Sequence, residues 1–326
     1  MLFRSLKWLP ALTGMVLNSS SDTERFLFDW RMAIGEMIAE YHYDLQNEIL
    51  AKYGMKRYTE SHENFRAFLP DGMDCKRKAE IPMSAFWMRY EHGSMFSSRF
   101  EADIRESASV AHIYGQNIAA AESFTTNGLK DGAWIFAPAV LKPSADAALA
   151  AGLNRFVVHT SAHQPVDDKV PGIGLGIFGQ WFTRHQTWAE KARFWTDYLS
   201  RSCFLLQQGR FVADIAYYYG EDNAATGLFL SQGPDIPRGY NYDYFSPSVL
   251  MDVAKVENGR LVTPSGMSYR VLALDPNVKY MSMRILCRLA ELADSGVVIC
   301  GAKPLYLADR KSKRLNSSHG RRSRMP

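Results

Sequence analysis

The chain has 326 residues, 47% of them hydrophobic and 22% charged, enough apolar material for one large domain and part of another. Its formal charge of +4 comes from one end: residues 310–326 hold seven lysines and arginines and no acid, and without them 31 basic side chains face 34 acidic ones. A nucleic-acid surface is therefore not expected, no apolar run reaches the roughly 18–20 residues of a membrane span, and four scattered cysteines with no CxxC pair argue against a zinc or disulfide framework.

In chain order, Ser21 and Glu24 have the spacing of a capping box ahead of a long amphipathic segment carrying Phe26, Trp30, Ile34, Met37 and Tyr41. The spacing predicts a helix from there to about residue 53, stopped by Gly54. Residues 55–59 and 81–87 read as strands, and the polar stretch 60–78 between them as a loop. Residues 101–114 read as a helix ended by Gly115, and NIAAAE (117–122) as a small-residue strand that delivers Glu122 to its end. Residues 131–146 are expected as a Pro-stiffened loop, 144–151 as a short helix and 155–159 as a strand delivering His159. A Gly-rich loop, PGIGLGIFGQW, precedes a long helix over 187–208.

The stretch FVADIAYYYGED (211–222) is the most informative. Its nearly continuous apolar run predicts a strand buried on both faces, as in a parallel sheet covered by helices, and it breaks at Gly220 onto Glu221 and Asp222. Acids just past the C-terminal end of such a strand occupy the position of active sites in α/β barrels and open α/β sheets. A Gly- and Pro-rich loop then leads to GYNYDYFSPSVL. Strands are expected near 260–262 and 269–274, a helix over 281–294, and a strand over 297–300.

This alternation predicts parallel βα units. The expected fold is α/β: a partial (β/α)8 TIM-type barrel of four or five strands over residues 1–238, then the start of a second α/β domain over 239–309. Residues 310–326 have no apolar periodicity and are expected to be a disordered extension foreign to the folded unit.

Glu122, His159 with His163, and Glu221 with Asp222 are all expected at strand ends on one face, with Asp103 and Glu106 at the start of a neighbouring helix. Several carboxylates with two imidazoles suit acid/base hydrolysis of a polar substrate such as a glycoside, and surplus carboxylates suit a hard cation such as Ca2+. Plainer readings stand beside these. Asp103 and Glu106 complement a helix dipole, His159 and His163 lack a third zinc ligand at suggestive spacing, and Glu221 and Asp222 sit in a solvated turn. No GxGxxG, Walker lysine or GxSxG elbow is present.

The segments ADIRESASVAHIYGQNIAAAESFT (102–125), NRFVVHTSAHQPVDDKVPGIGLGIFGQWFTRHQTWAE (154–190), YLSRSCFLLQQGRFVADIAYYYGED (198–222) and NGRLVTPSGMSYRVLAL (258–274) resemble glycoside hydrolase family 106, the α-L-rhamnosidases. FLFDWRMAIGEMIAEYHY (26–43) extends the likeness, which covers about residues 8 to 304. It implies that the chain is a fragment whose start is interior to a longer protein, and that the activity is removal of terminal L-rhamnose from an oligosaccharide or glycoside with inversion. The resemblance further implies a glutamate acid, a glutamate base and a bound Ca2+. On the matching motifs Glu221 is the expected base, Glu106 and Glu122 compete for the acid, and Asp103 is a calcium ligand. His159, His163, Trp181, Asp222 and Asp243 are substrate-pocket candidates. Two other readings remain open: a non-catalytic carbohydrate-binding fragment, and a related glycosidase with a different sugar preference.

Overall fold

The computed structural model describes residues 6–61, 69–88, 96–126, 134–170 and 172–308. The tail at 310–326 lies outside the described residues, as does part of the expected 60–78 loop. A 3-10 segment, Leu6–Thr13, sets Trp8 on Phe26 of the first long helix, ring centroids 6.1 Å apart. That helix, α1 (Ser20–Ile38), is capped by Ser19, whose hydroxyl accepts the Asp22 amide N–H, so the cap lies two residues before the expected box. It runs through a π-helical turn, Ala39–Asp44, into α2 (Leu45–Lys52).

Alternating strands and helices follow: β1 (Tyr58–Thr59), α3 (Gly72–Lys76), β2 (Ile81–Trp87), α4 (Ser98–Tyr114), β3 (Ala120–Thr125), α5 (Pro138–Ala150), β4 (Arg155–Val158) and α6 (Ala192–Leu206). The four strands form one parallel sheet in chain order. The α5 helix begins six residues before its expected start. Pro138 occupies its first turn, where a missing N–H costs nothing, and the helix tolerates Pro143 inside. Phe86, Phe124, Leu141, Ala145 and Trp195 pack between this sheet and its helices.

The remaining elements are β5 (Ile215–Tyr218), α7 (Ala225–Leu228), β6 (Tyr242–Phe245), β7 (Lys255–Glu257), β8 (Arg260–Val262), β9 (Ser268–Tyr269), β10 (Val271–Leu274), β11 (Tyr280–Met281), α8 (Met283–Asp294), β12 (Val298–Cys300) and β13 (Tyr306–Leu307). Strands β6, β5, β10 and β12 lie side by side in that order, all parallel. In chain order this is 2-1-3-4, a doubly wound arrangement with its switch point between β5 and β10. Strands β7–β9 form a small antiparallel sheet, and β11 pairs with β13.

The fold is thus α/β with two parallel sheets, and the described residues show no barrel closure. The strand expected as the barrel's fifth, β5, pairs with β6 and β10 and not with β4, so a division at 238 would separate two bonded strands. A buried parallel strand has the same apolar signature in either sheet, which is why sequence alone placed it in the first. On the open edge strand β4, Val157 and Val158 are 39% and 37% exposed. Helix α4 joins the two sheets. Its Asp103 accepts the Ala85 N–H of β2, its Ser109 hydroxyl accepts the Tyr244 N–H of β6, and its Arg105 donates to the Tyr242 carbonyl.

Candidate active site

The in-register pairing Ala85, Glu122, Val157 puts Glu122 of β3 on the open face of the first sheet, opposite the face covered by helices. Glu122 lies within β3 and not at its end, because the strand continues through Thr125. The continuation is irregular. Phe124 has φ +69 and the register with β2 shifts there, so Thr125 and not Phe124 pairs with Trp87. A bulge of this kind re-aims a side chain. Strict alternation would put residues 122 and 125 on opposite faces, yet the Thr125 hydroxyl donates to Glu122 Oε1 at 2.7 Å. A bulky residue in the left-handed region is strained, and the buried Phe124 ring, packed on Phe86 and Phe156, holds it there.

His159 follows β4 directly. Its N–H donates to the Ser123 carbonyl, and its ring Nδ1 lies 3.2 Å from the Thr125 hydroxyl and 4.0 Å from Glu122 Oε1. Glu122, Thr125 and His159 therefore form a compact, partly solvent-facing group at the C-terminal side of a parallel sheet. The Gly-rich loop is fastened beside it. Thr160 N donates to the Gln180 carbonyl, Gln180 N to the His159 carbonyl, and Gly179 N to the Thr126 carbonyl. Gly179 has φ +99, and a Cβ there would meet Thr160 Cγ2 at 2.9 Å, so glycine is required at this contact. Phe178 stands edge-on to Trp87 at 5.8 Å, giving the open face an aromatic wall.

Of the other expected pocket residues, Trp181 is buried, edge-on to Trp134 at 5.1 Å, and His163 is exposed on the loop beyond the strand. The residues that sequence reasoning missed are Thr125, Trp87 and Phe178. Thr125 stands in the AAESFT motif, but a period-two reading assigns it to the wrong face.

Asp103 and Glu106 lie in a separate, buried cluster. Lys76, fully buried on α3, places its ammonium 2.8 Å from Glu106 Oε1, 3.3 Å from Asp103 Oδ1 and 2.9 Å from the Ser107 hydroxyl. Burial alone would lower the Lys76 ammonium, but the Glu106 and Asp103 carboxylates outweigh it and hold it above the ordinary lysine value. Burial pushes Asp103 up to about 6 against the opposing pull of Lys76. Nearby, burial and the Asp74 charge raise Asp71 well above the carboxylate range, although the Tyr219 hydroxyl donates to it at 2.6 Å. These residues do not fit Ca2+: a lysine ammonium already takes the cation's place between the two carboxylates, and among the described residues no group of three or more acids, histidines or cysteines could hold a metal. Glu106 is completely buried.

Glu221 and Asp222 follow β5 of the second sheet. Glu221 accepts the Ser282 amide N–H at the start of α8 at 2.7 Å, and Asp222 takes two bonds from Arg31 Nε, at 2.8 and 3.0 Å. Asp243 of β6 is fully buried, with His112 Nδ1 at 2.7 Å and the Tyr269 hydroxyl donating at 2.8 Å. Burial would raise Asp243, but His112 and Tyr269 outweigh it and hold it below the ordinary carboxylate value. The structure thus brings Glu122 and His159 together, whereas Glu106 lies in the buried cluster and Glu221, Asp222 and Asp243 belong to the second sheet.

Known proteins share this architecture. The profile of glycoside hydrolase family 106, described as alpha-L-rhamnosidase, matches residues 3–317. A rhamnosidase from Novosphingobium sp. PP1Y superposes with a TM-score of 0.87 at 40% identity, over 94% of this chain and 29% of its own. A protein of Formosa agariphila, named provisionally as a beta-glucuronidase, is 36% identical over 302 residues, 92% of this chain and 24% of its own length. A cold-adapted beta-galactosidase from Rahnella sp. R3 superposes with a TM-score of 0.52 at 10% identity, covering 91% of this chain and 45% of its own, a likeness of fold alone. The chain thus spans about a quarter of the length of the relatives it matches at 36–40% identity. It belongs to the glycoside hydrolase family 106, the α-L-rhamnosidase family.

Proposed function

We propose that this chain supplies part of the catalytic face of an inverting glycosidase that removes terminal α-L-rhamnose, with Glu122 as one of its two proton-transferring carboxyl groups. One observation carries the reading: Glu122 is the one expected catalytic carboxylate that lies on the open face of the first sheet, held by Thr125 beside His159. An inverting mechanism needs an acid for the leaving oxygen and a base for water, their carboxyl groups about 6.5–9.5 Å apart. Thr125 fixes the Glu122 carboxyl, His159 borders the space in front of it, and the Trp87–Phe178 wall offers an apolar surface for a sugar ring. Buried and paired with Lys76, Glu106 is the weaker candidate for the acid. The Ca2+ implied by the family enters no step here, because Asp103 already faces a lysine.

The test is hydrolysis of a rhamnose-terminated disaccharide by the Glu122→Gln form of the active protein. Turnover should fall by about 10²–10⁴-fold, and unchanged turnover would remove Glu122 from the chemistry. Leaving-group dependence assigns its role. An acid variant keeps activity on a dinitrophenyl rhamnoside and loses it on a disaccharide, whereas a base variant loses both. A second reading, hydrolysis of another glycoside, is favoured by the name of the Formosa agariphila relative. A parallel assay on an aryl β-D-glucuronide decides between the two.

A further inference from the structure

We propose that the groove at the switch point of the second sheet is a second carbohydrate site, separate from the Glu122 face and suited to a neutral pyranose. The groove has a volume of about 970 Å3 and lies beyond the carboxyl ends of β5 and β10, where open α/β sheets bind ligands. Helix α1 forms one wall and the β11–β13 ribbon the other. Gly220 makes the turn possible: its φ is +98, and a Cβ there would meet Val278 Cγ2 at 2.9 Å. Asp222 follows in the left-handed region at φ +57, and Arg31 holds its carboxylate at the groove wall.

Two features of the lining identify the ligand class. The first is an aromatic platform. Tyr280 and Tyr306 are register partners in β11 and β13, their rings stack at 5.1 Å and 29°, and they are 60% and 56% exposed. Tyrosine pairs presented in this way have an apolar face for the C–H side of a sugar and a hydroxyl for its edge. The second is charge balance: Glu24, Glu221 and Asp222 line the groove with Arg25, Arg31 and Lys279. Such a lining supplies many donors and acceptors without a net field, which suits a hydroxyl-rich neutral ligand better than a phosphate or a uronate. Choosing a rhamnoside as the probe rests on the function proposed above; the neutral pyranose class rests on the groove alone.

The experiment is calorimetric titration of methyl α-L-rhamnopyranoside and a panel of neutral methyl pyranosides into the purified chain and its Tyr306→Ala, Tyr306→Phe and Glu122→Gln forms. Binding of at least one neutral pyranoside is expected, weakened about tenfold by Tyr306→Ala, weakened less by Tyr306→Phe, which keeps the ring and loses the hydroxyl, and unmoved by Glu122→Gln. Tyr306 is a surface residue, so these variants leave the core intact. Binding insensitive to Tyr306→Ala, abolished by Glu122→Gln, tighter for methyl β-D-glucuronide, or absent for every pyranoside would overturn the proposal. A pyranoside other than rhamnose bound with this variant pattern would support the groove while counting against the rhamnoside reading.

Discussion

Replacing Lys76 by methionine tests the buried cluster at its centre. Lys76 and Glu106 are both completely buried, and the ammonium is shared between Glu106 at 2.8 Å and Asp103 at 3.3 Å. Methionine keeps the stem and deletes the charge, leaving two buried carboxylates without their cation. Breaking a buried pair from one side costs about 3–5 kcal/mol, a large share of the 5–15 kcal/mol that holds a typical domain folded. The cost should depend on pH in a fixed direction. Asp103 is raised to about 6 in the folded chain, so the folded state binds this proton before the unfolded chain does. The resulting stabilisation is present at low pH and is lost as pH rises through that value. Without Lys76 the folded-state value climbs further, so proton binding between pH 7 and pH 5 recovers about 1 kcal/mol more in the variant than in the parent. Urea unfolding at the two pH values measures both quantities. A loss below about 1 kcal/mol at pH 7, or a penalty that grows toward pH 5, would refute the assignment of Lys76 as the shared counter-charge.

Other perturbations probe different contacts. Gly72→Ala would place a Cβ 2.3 Å from Glu106 Oε1, and the overpacking should cost about 1–3 kcal/mol in thermal unfolding; an unchanged midpoint would show that Glu106 moves freely. Asp243→Asn weakens the buried contact with His112 and should cost about 3 kcal/mol at pH 7. Because Asp243 is held below the ordinary carboxylate value, its contribution is present above about pH 4 and fades as pH falls through the folded value; the parent and variant unfolding curves should therefore converge in acid, and a gap that persists there would contradict the role given to the Asp243 carboxylate. Thr125→Val preserves shape and deletes the hydroxyl that holds Glu122. It should lower kcat by about tenfold with little change in KM and alter the pH profile of kcat, and an unaltered profile with normal kcat would leave Thr125 no positioning role.

Much of the local structure was legible in the sequence, and its failures have physical causes. Strand β2 runs over the expected 81–87, and Gly115 ends α4 in a left-handed conformation, as a helix-stopping glycine should. The apolar run 211–219 does contain a buried strand, but its sheet is fixed by partners 27 and 56 residues later in the register, Tyr242 and Val271 for Ile215. Strand β6 escaped notice because YDYF carries a charge, and Asp243 is tolerated there only through His112 and Tyr269, contacts that no local pattern encodes. The AAES motif marked Glu122 as a candidate, but the bulge at Phe124 that joins Thr125 to it depends on ring packing against Phe86 and Phe156. Asp103 and Glu106 looked like site residues because their partner, Lys76, lies in a stretch read as loop.

The most direct test of where the chemistry lies compares the Glu122→Gln and Glu221→Gln forms of the active protein, each assayed for kcat on a rhamnose-terminated disaccharide with folding verified by thermal unfolding. Glu122→Gln should lose at least about a hundredfold in kcat, while Glu221→Gln, which alters an acceptor of the Ser282 N–H, should keep its turnover. Full activity in Glu122→Gln together with an inactive but folded Glu221→Gln would contradict this assignment and move the catalytic face to the end of β5.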